Sequence, residues 1–445
     1  MTDRELRHAI EVIPGRFYYV ALNATPSQQN KKNHHYFCID QEFIYWNFFL
    51  DFGPLNLGHT YRYCVLMNRK LSDPKLKDKI IYHYSGSHGH RRANAVHLIC
   101  AWQLLCLGRS PEEAFKPFRK CPPFPPWHDA TPSICSYNLT ILDTLRGLAK
   151  AVECKFFDLN TFDLEEYEHY EQVENGDLNW IVDGKFLAFA GPHSAQHANE
   201  YHNIPPEAYV SYFKRKNVSL VVRLNKKYYD SSSFTKQGID HMDLYFLDGS
   251  NPPDHLLARF ISKAEQTPGA VAVHCKAGLG RTGCCIGSYI MKHYKFTAEE
   301  FIGWARIARP GTIIGPQQQW MKEMQPRMWR EGEIMRSRLR PLPPAGSNNN
   351  SSSSDKSKIN DDSLSTEIDN KLGVLSFSDN PNINSNNKDA ERRKKADEAA
   401  EANGAITQGD QLRQARTQNS PTQSTNTNTQ RGGSTLGRFV GNWNK

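Results

Sequence analysis

Hydrophobic and polar positions change rhythm along this chain. Between residues 10 and 340, short apolar runs alternate with amphipathic stretches. The runs FYYVAL (17–22), YFCID (36–40), FLAFAG (186–191), SLVVRL (219–224), DLYF (243–246) and AVAV (270–273) predict strands. The stretches 90–107, 281–295 and 297–308 place apolar residues three and four apart, which predicts helices. Strands alternating with helices predict α/β layers around a largely parallel sheet. Past Pro341 the pattern stops. Residues 347–354 read SNNNSSSS, long Asn/Gln/Thr stretches follow, and aromatics are nearly absent until Phe439 and Trp443. Such a segment buries too little apolar surface to offset its ordering entropy, so residues 345–445 are expected to be disordered.

The pattern also repeats. IIYHYSGSHGHRRANAVHLICAWQLLCLGRSPEEAFKPF (80–118) parallels VAVHCKAGLGRTGCCIGSYIMKHYKFTAEEFIGWA (271–305). In both, an apolar strand ends in His, a loop of small residues follows, and a basic residue opens an apolar helix. His83 falls opposite His274 and Gly89 opposite Gly280, but Tyr84 stands where the second copy has Cys275 and His90 where it has Arg281. The first half therefore reads as the same unit without its thiol and guanidinium.

Composition changes this picture little. A chain of 445 residues with 38% hydrophobic positions has room for two domains plus a polar appendage. The net charge of +8 is a mild excess of base, compatible with a nuclear or phosphate-handling protein. There is no apolar run of bilayer length, and the N-terminus lacks the basic-then-apolar layout of a signal peptide. The ten cysteines form no C-x-x-C pair and no zinc-like set with histidine, so reduced intracellular thiols are expected.

Candidate chemistry concentrates in HCKAGLGRTG, residues 274–283. A strand running into a Gly-rich loop and then a helix makes an anion site. Gly278 and Gly280 let backbone N–H groups turn inward, and the helix start adds free N–H groups and a positive dipole end. Arg281 can grip two oxygens of a phosphoryl group with its planar fork. A thiol in such a field loses its proton readily, and a thiolate beneath a bound phosphate is a nucleophile aimed at phosphorus. Cys275 is the candidate nucleophile; His274, Lys276, Ala277, Gly278, Leu279, Gly280 and Thr282 complete the loop. Thr282 is placed to hydrogen-bond the sulfur as it leaves. Cys284 and Cys285 read as helix-core residues, with reversible disulfide protection of Cys275 as the alternative.

The departing alcohol needs a proton. LYFLDGSNPPD (244–254) offers Asp248 on a turn after a strand, in a loop marked as mobile by Gly249, Pro252 and Pro253. Asp254 is expected to cap a helix beginning at His255. Gln317 and Gln318, after the turn RPGTIIGP, either position a water or simply begin a helix.

These motifs resemble the dual-specificity branch of the cysteine-dependent protein tyrosine phosphatases, and more narrowly the cell-division-cycle-fourteen phosphatases. The likeness spans residues 10–340 and rests on HCKAGLGRTG (274–283), ARPGTIIGPQQ (308–318), DGS (248–250), NGDLNWI (175–181) and AFAGPHS (188–194). It implies two tandem phosphatase-like domains, the first degenerate (10–160) and the second catalytic (177–340), joined by an acidic linker helix (161–176). It implies Asp248 as general acid, although Phe246-Leu247-Asp248 replaces the Trp-Pro-Asp of tyrosine phosphatases. No metal or cofactor is expected, because the thiolate does the work of an activated hydroxide.

The resemblance also gives the acidic stretch FDLEEYEHYEQVENGD (162–177) a use. Like charges three or four apart oppose a helix by about 0.2–0.5 kcal/mol per pair. The resemblance implies that Glu168, Glu171 and Asp177 line a groove favouring Lys or Arg a few residues after a phosphoserine-proline; Glu165 and Glu166 read as solvated. The expected partners are phosphoproteins of that form, with no direct nucleic-acid or membrane contact, and the expected role is cell-cycle control such as mitotic exit. A phosphoinositide phosphatase shares the loop but has Lys where Leu279 stands. A catalytically silent phospho-binding module is the other alternative, against which the intact Cys275, Arg281 and Asp248 count. RRKK (392–395) and the export-like spacing of LSTEIDNKLGVL (364–375) suit shuttling between nucleus and cytoplasm, with nucleolus, spindle pole or centrosome as further destinations. Ser420-Pro421 reads as a proline-directed phosphosite.

Overall fold

The apolar runs fold into two sheets, one per half of the chain. The computed structural model describes residues 6–23, 33–194, 204–338 and 406–419. The first sheet contains β1 (Ile10–Ile13), β2 (Phe17–Leu22), β3 (His34–Phe37) and β4 (Ile80–Gly86) in the order β1-β2-β4-β3. Helices α1 (Leu57–Ser72), α2 (Gly89–Leu107), α3 (Pro111–Phe115) and α4 (Ile141–Glu153) accompany it, and α5 (Leu164–Glu171) leads onward. The second sheet contains β5 (Leu178–Val182), β6 (Phe186–Phe189), β7 (Val218–Arg223), β8 (Asp240–Asp243) and β9 (Ala270–His274) in the order β5-β6-β9-β7-β8. Its helices are α6 (Pro206–Arg215), α7 (Ser232–Thr235), α8 (Asp254–Gln266), α9 (Gly280–Tyr294), α10 (Ala298–Ala308) and α11 (Pro316–Arg338). A last helix, α12 (Gln408–Asn419), comes from the polar tail.

The faint sequence repeat is a repeat of topology. In each sheet an antiparallel hairpin (β1-β2, β5-β6) leads to a central parallel strand (β4, β9) with a further parallel strand beyond it (β3, β7). Both central strands carry a fully buried histidine and feed an apolar helix, but only β9 ends at it, in His274; β4 runs past His83 to Gly86. One apolar core runs from Val12 in the first half to Met328 in the second. The halves meet where α4 crosses α10. A Cβ at Gly147 would lie 2.1 Å from the Glu300 carbonyl oxygen, so only glycine permits this approach.

Several local expectations are corrected. The strand expected at 36–40 is shifted to His34–Phe37, because Cys38–Asp40 turns so that the Asp40 carboxylate meets the Gly86 amide at 2.8 Å. The strand expected at 243–246 ends at Asp243, where its ladder with β7 runs out. Asp254 is not the cap of α8 but its first residue, and it pairs with Arg327 at 2.8 Å.

The tail departs furthest from expectation. Composition predicts disorder throughout 345–445, yet Gln408–Asn419 is helical. Its start is a reciprocal cap: Thr407 N–H donates to Asp410 Oδ2 at 3.0 Å, and Asp410 N–H to Thr407 Oγ1 at 3.4 Å. Leu412 and Ala415, three apart, form its buried side. The rest of the tail, with RRKK (392–395), LSTEIDNKLGVL (364–375) and Ser420-Pro421, lies outside the described residues. Among the described residues, one compact body takes in those up to Glu333 together with Ile406–Asn419. The tail helix thus belongs with both sheets.

Candidate active site

The loop after β9 is held from outside by its carbonyls. Gly191 N–H donates to Lys276 O at 2.9 Å, and Leu224 N–H donates to His274 O, also at 2.9 Å. Arg309 then takes two more oxygens: Nε donates to Gly278 O and Nη2 to Ala277 O, each at 2.9 Å. In a trans peptide the carbonyl and the next N–H point opposite ways, so carbonyls turned outward send the N–H groups of the loop inward. Gly278 makes the turn possible, with φ +70 and a position where a Cβ would sit 2.0 Å from Phe189 O. Cys275 lies at the base of this cradle, 3% exposed, with the α9 N-terminus beside it. Such a cradle can hold a tetrahedral oxyanion.

The neighbours of Cys275 are fixed in turn. His274 is fully buried; its Nδ1 lies 2.9 Å from the Cys275 carbonyl and its Nε2 2.7 Å from the Tyr229 hydroxyl. Burial holds its pKa well below the ordinary value, so the ring is neutral. Thr282 is buried and its hydroxyl has no hydrogen-bond partner among the described residues, as a group reserved for the sulfur or a ligand would. Cys284 and Cys285 sit in the core, where burial pushes both thiols up.

Asp248 reaches the same place from the turn after β8. Its Oδ1 lies 2.9 Å from Arg281 Nη2. Arg281 Nη1 also donates to Phe246 O at 2.9 Å, which ties the acid loop to the cradle. The tail helix supplies the other contacts: Thr407 Oγ1 donates to Asp248 Oδ2 at 2.7 Å and Gly409 N–H at 2.9 Å. Burial raises the Asp248 pKa, but the Arg281 charge, the two tail bonds and the Lys276 charge together bring it below the usual carboxylate value. Lys276, nearly buried, donates to Thr407 Oγ1 at 3.0 Å and pairs with Asp410.

Gln317 and Gln318 are both engaged with protein. Gln317 Oε1 accepts from Ile314 N–H at 3.1 Å and its Nε2 donates to Ser250 O at 3.2 Å. Gln318 Oε1 accepts from buried Arg306 at 2.6 Å, and its Nε2 donates to Gly315 O at 3.2 Å. Of the two readings offered by the sequence, these amides fit a braced helix start.

Two of the three carboxylates expected to line a groove converge. Asp177 Oδ1 lies 2.9 Å from Arg309 and 3.0 Å from Arg416 of the tail helix. Glu171 is held by Asn56 Nδ2 at 2.9 and 3.1 Å, burial raises its pKa, and its backbone carbonyl accepts from Arg416 at 3.3 Å. Glu168 instead faces α1, bonded twice to Arg62 at 2.6 Å. Glu166 is not merely solvated: it pairs with Lys216 at 2.6 Å and accepts from the Tyr212 hydroxyl at 2.9 Å. Partners on both sides thus neutralise the like charges of α5. Next to Asp177 a small pocket open to solvent is lined by Val173, Ile204, Tyr209, Arg413 and Arg416. Leu279, the position that is Lys in phosphoinositide phosphatases, is buried with Phe48, Ile314, Leu412 and Ala415.

Arg309 and the tail helix are the elements sequence reasoning missed. Nothing in ARPGT distinguishes a buried arginine from a surface one. The tail helix did leave a signal, Thr407-x-x-Asp410 ahead of Leu412 and Ala415, within a composition that argued for disorder. In the first half, Tyr84 replaces the thiol and the Asp40 carboxylate takes the Gly86 amide where an anion would bind. That half is a filled version of the same loop.

Both halves of the chain match known proteins. Residues 11–151 match the family "Dual specificity protein phosphatase, N-terminal half", and residues 210–326 match "Dual specificity phosphatase, catalytic domain". The chain is 47% identical over 422 residues to the dual specificity protein phosphatase CDC14A of Mus musculus, covering 94% of this chain and 67% of that protein. It is 46% identical over 420 residues to CDC14A of Homo sapiens, covering 94% and 68%. The tyrosine-protein phosphatase CDC14 of Saccharomyces cerevisiae is 39% identical over 327 residues, covering 71% and 59%. With both halves matched in order and this level of identity along most of its length, the chain belongs to the CDC14 family of dual specificity protein phosphatases.

Proposed function

We propose that this phosphatase acts on phosphoserine and phosphotyrosine in proteins, prefers phosphoserine followed by proline and then a basic residue, and works through a cysteinyl-phosphate on Cys275. In the first step the Cys275 sulfur forms a bond to phosphorus while the P–O bond to the substrate breaks. Asp248 gives its proton to the departing alcohol oxygen. In the second step Asp248, now a carboxylate, takes a proton from water. The water oxygen bonds to phosphorus and the S–P bond breaks, releasing phosphate and returning the thiolate. Loop N–H groups and Arg281 balance the charge on the phosphoryl oxygens in both steps. Thr282, with its unpartnered hydroxyl, hydrogen-bonds the leaving sulfur.

The observation that carries this reading is the meeting of Cys275, Arg281 and Asp248 on one anion cradle beside Asp177, whose carboxylate already holds an arginine. Arg416 of the tail helix stands against Asp177 and Glu171 as a substrate's basic residue would. The burial of Leu279 in an apolar cluster favours a protein substrate over a polyphosphorylated ring. The preferred sites are products of proline-directed kinases, so the same proposal includes a cell-cycle role such as mitotic exit and activity in nucleus and cytoplasm. The test is Cys275→Ser with a Ser-Pro-x-Lys phosphopeptide. The variant should bind the peptide and release no phosphate; retained turnover, or faster turnover of inositol phosphates by the wild type, overturns the reading.

A further inference from the structure

The half that has Tyr84 in place of the loop thiol touches a turn of the catalytic half through a buried carboxylate. Asp129 lies in the connection before α4 and is 1% exposed. Trp127 anchors that connection: its N–H donates to Leu139 O at 2.8 Å, and its fully buried ring packs on Phe52 with centroids 5.2 Å apart. Asp129 Oδ2 accepts the Gly315 N–H at 2.5 Å, across 186 positions of sequence. Oδ1 accepts from Thr131 Oγ1 at 3.1 Å and faces His128 Nδ1 at 3.4 Å. Buried Arg306 supplies the nearby positive charge.

The turn that receives this bond needs outside support. Ile313 has φ +64, a left-handed conformation that is strained for a β-branched residue. Arg306 grips it from α10, Nε to Thr312 O at 3.2 Å and Nη2 to Ile313 O at 2.9 Å. Asp129 grips it from the other half. Directly after the turn, Gln317 packs against Gly280 of the phosphate cradle, where a Cβ would lie 2.6 Å from its Oε1, and its Nε2 bonds Ser250 O in the Asp248 loop. One turn therefore touches the cradle and the acid loop together.

We propose that Asp129 is a positioning residue for phosphoryl transfer. Its bond to Gly315 sets the turn, and through Gln317 the turn sets the Asp248 loop against the Cys275 cradle. The degenerate half thereby has a task in the reaction as a brace. The inference rests on the assignment of Asp248 as general acid.

The test uses the full chain with Asp129→Ala and Asp129→Asn, and substrates whose leaving groups differ in their need for a proton. A displaced acid harms phosphoserine peptide and phenyl phosphate but spares 2,4-dinitrophenyl phosphate. Asp129→Ala should lower kcat/KM on the peptide by about tenfold to 100-fold, the scale of a misplacement of about 1 Å, and change dinitrophenyl phosphate turnover far less. Asp129→Asn keeps an oxygen for Gly315 and should recover most of the loss. Equal losses on both substrates, or none, overturn the inference. Asp248→Asn measured in parallel separates the two claims: if it shows the leaving-group bias and Asp129→Ala does not, only the brace fails; if it lacks the bias, the acid assignment fails and the brace with it. Hydrogen exchange of wild-type Gly315 decides the matter should Asp129→Ala not fold: slow exchange supports the bond, and exchange at the rate of a free loop overturns it.

Discussion

Replacing Thr407 by Val should move the pH dependence of the first chemical step to higher pH. The Thr407 hydroxyl donates to Asp248 Oδ2 at 2.7 Å inside the closed site, and with Arg281, Gly409 and Lys276 it holds the Asp248 pKa below its ordinary value. A hydrogen bond to a charged group contributes about 1.5–3 kcal/mol. Losing this bond withdraws that stabilisation from the carboxylate, so the Asp248 pKa should rise. The sign follows from the step. Asp248 must be protonated to release the alcohol, and its protonated fraction falls as pH rises through its pKa. A depressed pKa therefore ends acid catalysis early, and the variant should keep it to higher pH. Should loss of the Thr407 cap also loosen the helix, Gly409 would withdraw its bond and shift the limb further in the same direction. The assay is kcat/KM against pH for a phosphoserine peptide, with 2,4-dinitrophenyl phosphate as the control that needs no proton. A descending limb that stays in place or moves to lower pH would refute the reasoning, as would an equal shift in the control.

Two further outcomes follow from the same geometry. Glu171→Lys places a cation beside Arg416 and Arg309, and should raise KM on Ser-Pro-x-Lys peptides while leaving small aryl phosphates much less affected; equal losses on both would remove the groove from substrate choice. Gly278→Ala asks a Cβ to stand 2.0 Å from Phe189 O at φ +70, so the cradle must deform, and vanadate binding and turnover should fall together, measured by titration and steady-state rates.

The tail helix shows where local pattern stops being informative. Its composition is that of a solvated segment, and its start signal is only four residues long. What holds it is tertiary: Lys276 to Asp410, Asp177 to Arg416, and the Ala277, Leu279 and Phe48 surface under Leu412 and Ala415. The acidic α5 is a similar case. Its sequence carries uncompensated like charge, and the cations that quiet it, Arg62 and Lys216, come from elements on either side.

The strand, the glycine loop and the helix start at 270–294 were determined by sequence alone, because an anion cradle is built from consecutive peptide groups and needs only the right glycines between an apolar strand and an apolar helix. The repeat was legible for the same reason, since each copy is one contiguous strand–loop–helix unit. Tertiary structure alone decided which charged side chains are buried and against what. Arg309 behind the loop carbonyls, Asp129 on Gly315 and the tail helix on Asp248 each join residues distant in sequence. Burying a charge is costly without a partner, and a partner so distant leaves no periodic trace beside the residue it stabilises.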